Sequence, residues 1–335
     1  MMKKIACLGI GAWGYCLASL LANKGNYELI CWTTNPDLAA HLSHKGEHPL
    51  FPGRILSGKM SFTTDMSYAL KNAGMIVESV TSAGIRPVFE QVRSLGLPSC
   101  PIVSTSKGIE QDSGRILPEV ILEVLGKNYK PLIGLLSGPS FAQEVITGLP
   151  ASVVASGYSL EVIQNICDTF MTSNFRVYPN TDILGVAFGG ALKNIIAIAC
   201  GISEGLGLGN SSRAALMTRG LHEIRKLAVA CGCKPETIYG LTGMGDLCLT
   251  CTSTLSRNFR FGVHLAEGLN VTEAQKKIGM VVEGAYTCLS ALQLSKQHKI
   301  EIPIAKAIYS IMHEHLHPKE AVRILMQRTI KEEHL

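Results

Sequence analysis

At 335 residues and 47% hydrophobic side chains, the chain has the apolar content for a sizeable core and the length for two domains, which excludes a disordered polypeptide. Its net charge of +5 comes from Lys and Arg scattered along the sequence rather than gathered in blocks. That argues against a nucleic-acid partner and leaves a mild attraction for anionic small molecules.

From residue 3 to about 180, short β-branched runs alternate with helical stretches, the pattern of a parallel sheet covered on both faces. Strands are expected over residues 5–9, 28–33, 75–80, 102–105, 132–136, 152–155 and 175–178. Helices are expected between them over 13–23, 85–95, 114–125, 141–147 and 160–172. Beyond residue 180 the strand signals fade, and 182–204, 211–230, 283–297 and 303–313 carry helical spacing of apolar residues. The reading is an α/β fold, a doubly wound and mostly parallel sheet over residues 1–180, followed by an all-α domain over 181–335. The junction at 179–182 reads as a turn into a helix.

Gly9-Ile-Gly11-Ala-Trp-Gly14 follows the first strand and opens the first helix, the context in which this spacing marks a Rossmann-type dinucleotide site. Gly9 permits the tight turn, Gly11 lets a pyrophosphate approach the backbone, and Gly14 lets helix and strand pack closely. The helix start adds unpaired N–H groups and a partial positive charge for the phosphates. After the second strand, Cys31-Trp-Thr-Thr34-Asn35 carries neither the acid that would read a ribose hydroxyl nor an arginine, so NAD and NADP both stay open.

The most apolar stretch, residues 183–202, is long enough to span a bilayer, but Lys193 and Asn194 sit in its middle. A central Lys costs about 2.5–3.5 kcal/mol even on the lenient insertion scale, so a buried helix carrying a functional charge is expected rather than membrane insertion. Eleven cysteines at irregular spacing, with strand-like Ile5-Ala6-Cys7-Leu8 close to the N-terminus, read as reduced thiols in a cytoplasm. Of the pairs Cys231-Gly-Cys233 and Cys248-Leu-Thr-Cys251, the spacing of the second matches half a zinc site or a redox motif, and no metal is expected.

Taken in order, Gly9–Gly14 with Trp13, Ser106-Lys107-Gly108, Leu136-Ser-Gly138-Pro-Ser140, Leu192-Lys193-Asn194, Gly245-Asp246-Leu247, Ser256-Arg257-Asn258 and Val281-Val-Glu283-Gly284 resemble bacterial NAD(P)-dependent glycerol-3-phosphate dehydrogenase over nearly the whole chain. The resemblance implies Lys193 as proton acceptor, with Lys107, Gly138, Ser140, Asp246, Ser256, Arg257 and Asn258 around the substrate. It implies cofactor contacts from Trp13, Thr34, Lys107, Ala142, Arg257, Val281 and Glu283, beside Gly9, Gly11 and Gly14 of the loop. It also implies a small-molecule substrate, NAD or NADP as cofactor, and supply of glycerol 3-phosphate for phospholipid synthesis, and it leaves a homodimer open. Two departures touch the cofactor edge: Tyr15 stands where the family usually has Ser or Thr, and Thr81-Ser82-Ala83 replaces a proline-containing turn.

These residue types suit the chemistry. Oxidising a secondary alcohol needs a base beside the hydroxyl while hydride leaves to a nicotinamide. The apolar neighbours of Lys193 and a second cation at Lys107 would both lower its pKa toward neutrality. Asp246 would orient the lysine, and Ser256-Arg257-Asn258 combines a hydroxyl, a planar cation and an amide suited to a phosphate. The active cleft is expected between the sheet domain and the helical domain. The competing readings are a hydroxy-acid or 3-hydroxyacyl dehydrogenase of the same architecture, which would need a carboxylate or acyl binder, and a non-catalytic dinucleotide sensor, which would need no desolvated lysine.

Overall fold

The computed structural model describes residues 2–54, 58–96, 99–330 and 332–333. They form two compact units, Met1–Ser106 with Leu117–Ile183, and Lys107–Ile116 with Leu184–Leu335. Lys107–Ile116 thus belongs with the second unit, although the sequence reading assigned all of residues 1–180 to the first.

The first unit is built on eight strands: β1 (Lys3–Leu8), β2 (Tyr27–Trp32), β3 (Met60–Thr63), β4 (Met75–Glu78), β5 (Ile102–Ser104), β6 (Ile133–Ser137), β7 (Ala151–Gly157) and β8 (Phe175–Asn180). Their order is β3-β2-β1-β4-β5-β6-β7-β8, parallel throughout except for the antiparallel β6–β7 pair. Because helices cover both faces, β1 is apolar on both. Ile5 and Cys7 enter one core with the Ala12–Asn23 and Leu160–Phe170 helices, while Ala6 and Leu8 enter the other with Ile85–Ser94 and Leu117–Leu125.

All seven expected strands form, each within two residues of its expected ends. β8 runs on through Pro179 to Asn180, which an edge strand tolerates because the missing N–H would face no neighbour. β3 was not anticipated: Met-Ser-Phe-Thr alternates apolar and polar residues, but four residues at a sheet edge are too few for the alternation to stand out. The Pro36–Lys45 helix was also missed, although Asn35 caps its start by accepting from the Leu38 N–H at 3.0 Å and Gly46 closes it.

The helix expected from residue 114 begins only at Leu117. Ile109 and Ile116 form an antiparallel bridge closed by Glu110 N–H donating to Arg115 O at 2.9 Å, so 107–116 is a hairpin rather than a helix start. Ser290 Oγ donates to Ile109 O at 3.3 Å and Gln293 Nε2 to Asp112 O at 2.9 Å, tying this hairpin to the Glu283–His298 helix.

Apart from that hairpin the second unit is helical, as expected. Its central helix, Ile183–Gly205, has 94% of its most apolar 18-residue window buried inside the protein. Such a helix can be apolar all round because protein surrounds it. It crosses Arg257–Ala266 at backbone contact: a Cβ added to Gly201 would lie 1.9 Å from Phe259 O, and one added to Gly262 would lie 2.1 Å from Ile198 O. This glycine-to-glycine crossing brings the start of the second helix beside the middle of the first.

Candidate active site

In the first unit the glycine loop leaves β1, whose neighbours are β2 and β4, so it lies where the strand order reverses. Gly9 has φ +92°, and its N–H donates to Trp32 O at 3.0 Å. A Cβ on Gly9 would fall 2.7 Å from Ser79 O, and one on Gly14 2.0 Å from Gly9 O, so neither position admits a side chain. Around Gly11 the situation is opposite, with nothing within 4 Å of an added Cβ. The Ala12–Asn23 helix starts there with no side-chain cap and no acidic residue in its first turn, leaving its N–H groups for an anion. These residues fit the pyrophosphate of a dinucleotide.

Trp13 is half-buried beside the loop, and Thr34 is exposed just past β2. Asn35 is committed to capping the next helix, which leaves Thr34 as the polar side chain at the position where a ribose-reading acid would stand. Tyr15, the departure noted above, is fully buried. It stacks on Phe51 at 6.0 Å and tilts against His48 at 4.9 Å. His48 Nδ1 accepts from Leu50 N–H at 3.1 Å, so its Nε2–H donates to Ile10 O at 3.1 Å and props the loop from beneath. At the end of β6, Gly138 has φ +149° and its carbonyl accepts from Ser140 Oγ at 3.2 Å; Ala142 opens the short Ala142–Val145 helix that follows.

The second unit gathers the charged residues. Lys193, 5% exposed, projects from the central helix, and Asp246, 1% exposed, opens the Asp246–Cys251 helix. Lys193 Nζ donates to Asp246 Oδ1 at 2.5 Å and to Thr250 Oγ1 at 2.7 Å, while Lys107 Nζ donates to Asp246 Oδ2 at 2.6 Å. Thr250 sends its own hydrogen to Asp246 O at 2.6 Å, so it faces the lysine as an acceptor. One carboxylate therefore bridges two amines. Burial lowers the Lys193 pKa from 10.5 to about 7; Asp246 pulls it back up, and Lys107 pushes it further down.

Ser256 caps the Arg257–Ala266 helix by accepting from Phe259 N–H at 3.2 Å. Asn258 is buried and doubly engaged: its Nδ2 donates to Asn194 Oδ1 at 3.0 Å and its Oδ1 accepts Gly284 N–H at 2.9 Å. Arg257 is exposed, with Glu283 and Arg260 the charges that act on it. Val281 is exposed just before the Glu283–His298 helix.

Within the second unit the structure thus brings Lys107, Lys193 and Asp246 into one cluster, and Asn258 to the residue after Lys193. Gly9, Gly11, Trp13, Gly14, Thr34, Gly138, Ser140 and Ala142 belong to the first unit. Sequence reasoning gave no role to Thr250 or Asn194. Thr250 was signalled by its i+4 spacing from Asp246, and Asn194 by its place next to Lys193 in an apolar run. Of the cysteine pair on the Asp246–Cys251 helix, Cys251 has its pKa raised well above the ordinary value by burial and then by Cys200, which makes it a poor thiolate. Among the described residues no three His, Cys, Asp or Glu side chains group as metal ligands.

Residues 4–162 match the NAD-dependent glycerol-3-phosphate dehydrogenase N-terminus family, and residues 182–323 match the corresponding C-terminus family. The chain is 72% identical to a glycerol-3-phosphate dehydrogenase (NAD(P)+) of Protochlamydia amoebophila (strain UWE25) and 57% identical to one of Chlamydia pneumoniae, with 100% of each chain covered. Among solved structures, glycerol-3-phosphate dehydrogenase from Coxiella burnetii superposes with a TM-score of 0.92 at 36% identity, over 98% of this chain and 100% of that one. A buried lysine held by a bridging carboxylate, a glycine loop at the strand-order reversal, and these full-length likenesses agree: the chain belongs to the NAD-dependent glycerol-3-phosphate dehydrogenase family.

Proposed function

We propose that this protein interconverts sn-glycerol 3-phosphate and dihydroxyacetone phosphate, with Lys193 moving the proton of the reacting hydroxyl. The carrying observation is the Lys193–Asp246–Thr250 geometry. NAD or NADP, when bound, supplies the hydride chemistry. A neutral amine has two hydrogens and one lone pair. Asp246 and Thr250 take the two hydrogens, which leaves the lone pair for a substrate hydroxyl. In the reductive direction the same nitrogen, as ammonium, donates to the ketone oxygen and stabilises the charge that develops there.

Gly9, Gly11, Trp13, Gly14, Thr34, Ala142, Val281 and Glu283 serve the cofactor in this reading. Lys107 and Arg257 serve cofactor and substrate, and Gly138, Ser140, Asp246, Ser256 and Asn258 the substrate. Arg257 can take two phosphate oxygens at once, and N–H groups at the start of its helix add to that pull. Anchoring the phosphate holds the triose in a reactive pose. The reading gives most of the dinucleotide contacts to residues 1–180 and most of the substrate contacts to residues 181–335. It extends to a cytoplasmic enzyme, assembled as a homodimer, that supplies glycerol 3-phosphate for phospholipids.

The test compares NADH and NADPH oxidation with dihydroxyacetone phosphate against phosphate-free dihydroxyacetone, in wild type and Lys193→Ala. Strong preference for the phosphorylated ketone and loss of turnover in the variant, with cofactor binding retained, are expected. Equal rates on both ketones would overturn the phosphate assignment, and normal turnover in Lys193→Ala the role of the amine.

A further inference from the structure

Glu78 is the last residue of β4, fully buried, and neither proton transfer nor substrate binding uses it. Its Oε2 accepts from Ser104 Oγ at 2.8 Å, and its Oε1 accepts from the Val80 N–H at 2.6 Å. Ser106 Oγ lies 2.5 Å from Glu78 Oε1 and also 2.5 Å from Val80 O. Three oxygens in a row at these distances need two hydrogens between them, and the serine brings one. The other must come from the carboxyl group: Glu78 donates to Ser106, and Ser106 donates to Val80 O.

This chain of bonds lies directly under the glycine loop. Ser79 N–H donates to Leu8 O at 2.8 Å, and a Cβ at Gly9 would meet Ser79 O at 2.7 Å and Val80 Cγ1 at 2.8 Å. Segment 79–80 is therefore the floor on which Gly9 rests. We propose that Glu78 is a positioning residue for the dinucleotide cradle, held as a neutral carboxylic acid whose hydrogen completes the Glu78–Ser106–Val80 chain and keeps that floor in place.

Burial acts in the same sense, raising the Glu78 pKa to about 7 against the hydrogen bonds that Ser106, Ser104, Val80 and Thr105 can give the ionised form. The residues paired with it in the sheet, Leu8 and Ser104, carry no charge. The helices packed on this face present Arg86, Glu90, Arg93, Glu119 and Glu123, and none of these is buried. Lys107 follows Ser106 in the chain, and His48 on Ile10 O is a titratable group at the loop. Losing the carboxyl hydrogen leaves Ser106 with two acceptors and one hydrogen, so one link to the 79–80 segment breaks.

The inference rests on the glycine loop being the cofactor's seat, and fluorescence titration of the full chain with NADH and NADPH tests both. Wild-type affinity is expected to weaken about fivefold or more between about pH 6 and about pH 8.5, a typical size for a coupling between two sites. Glu78→Gln, which cannot ionise, should bind with little dependence on pH. Glu78→Ala should bind weakly throughout. A carboxyl-carbon NMR titration should place the Glu78 midpoint near neutrality. A flat wild-type profile, or a Glu78→Gln profile as steep as wild type, would overturn the proposal; the second result would point to His48. Gly11→Asp, which sets a carboxylate where phosphates approach, separates the two readings. If it binds cofactor normally, the loop assignment fails; if it abolishes binding while Glu78→Ala binds like wild type, only the role of Glu78 fails.

Discussion

Lys193 Nζ and Asp246 Oδ1 stand 2.5 Å apart in a nearly water-free setting, and the other oxygen of the same carboxylate holds Lys107 at 2.6 Å. When Lys193 is protonated, two cations and one anion leave this cluster with an excess positive charge. An anionic substrate offsets that excess, so the cluster favours a phosphorylated or ionised ligand over a neutral one.

Replacing Asp246 by Asn keeps the shape and removes the anion between two amines. Positioned acid–base groups contribute about 100- to 10,000-fold to rate, and the variant should lose turnover within that range while NADH affinity changes little. Steady-state kinetics beside fluorescence titration would show it; a variant with wild-type turnover would remove Asp246 from the reaction.

The pH dependence follows from the Lys193 amine, whose pKa is lowered from 10.5 to about 7, chiefly by burial. Oxidation of glycerol 3-phosphate needs the neutral amine, so kcat/KM in that direction should rise with pH up to about 7 and then level off. Reduction needs the ammonium, so the reverse rate should fall as pH rises through the same region. Asp246 raises this pKa, so Asp246→Asn should move the residual profile to lower pH.

Gly262→Ala inserts a methyl group 2.1 Å from Ile198 O. The helices must move apart, at a cost of about 1–3 kcal/mol in a urea melt. Because Asn258 sits in the first turn of that helix, KM for dihydroxyacetone phosphate should rise more than kcat falls. A variant as stable as wild type would show that the crossing is slack.

Glu223 is a buried carboxyl that accepts from Ile304 N–H at 2.7 Å and Ala305 N–H at 3.3 Å, at the start of the Pro303–His313 helix. Desolvation raises its pKa from 4.5 to about 7, outweighing those hydrogen bonds and the pull of Arg328 and Arg219. A raised carboxyl pKa means the folded state binds the proton more tightly than the unfolded state. The associated stability, on the order of 3 kcal/mol, is fully present below the unfolded value near 4.5 and is lost as pH rises through about 7. Melts of wild type and Glu223→Gln across this window should show that slope in wild type and a shallower one in the variant.

Much of this was legible along the chain. Seven strands, the glycine loop, the long C-terminal helices and the polar residues inside residues 183–202 each carry a local pattern of period, turn chemistry or misplaced charge. β3 was not legible because four residues at a sheet edge carry too little periodicity, and residues 114–116 were read as the start of a helix because Ile109 and Ile116 pair only once the chain has turned.

The amino-acid order by itself determined which segments become strands or helices and which residue types stand at their ends, because these depend on neighbours a few positions away. Only the tertiary structure decided that Lys107 and Lys193 share one carboxylate 139 and 53 residues from them, and that Glu78 lies sealed beneath the glycine loop. Charge coupling, desolvation and the count of hydrogens between oxygens depend on distance in space, and no local pattern in a sequence records that distance.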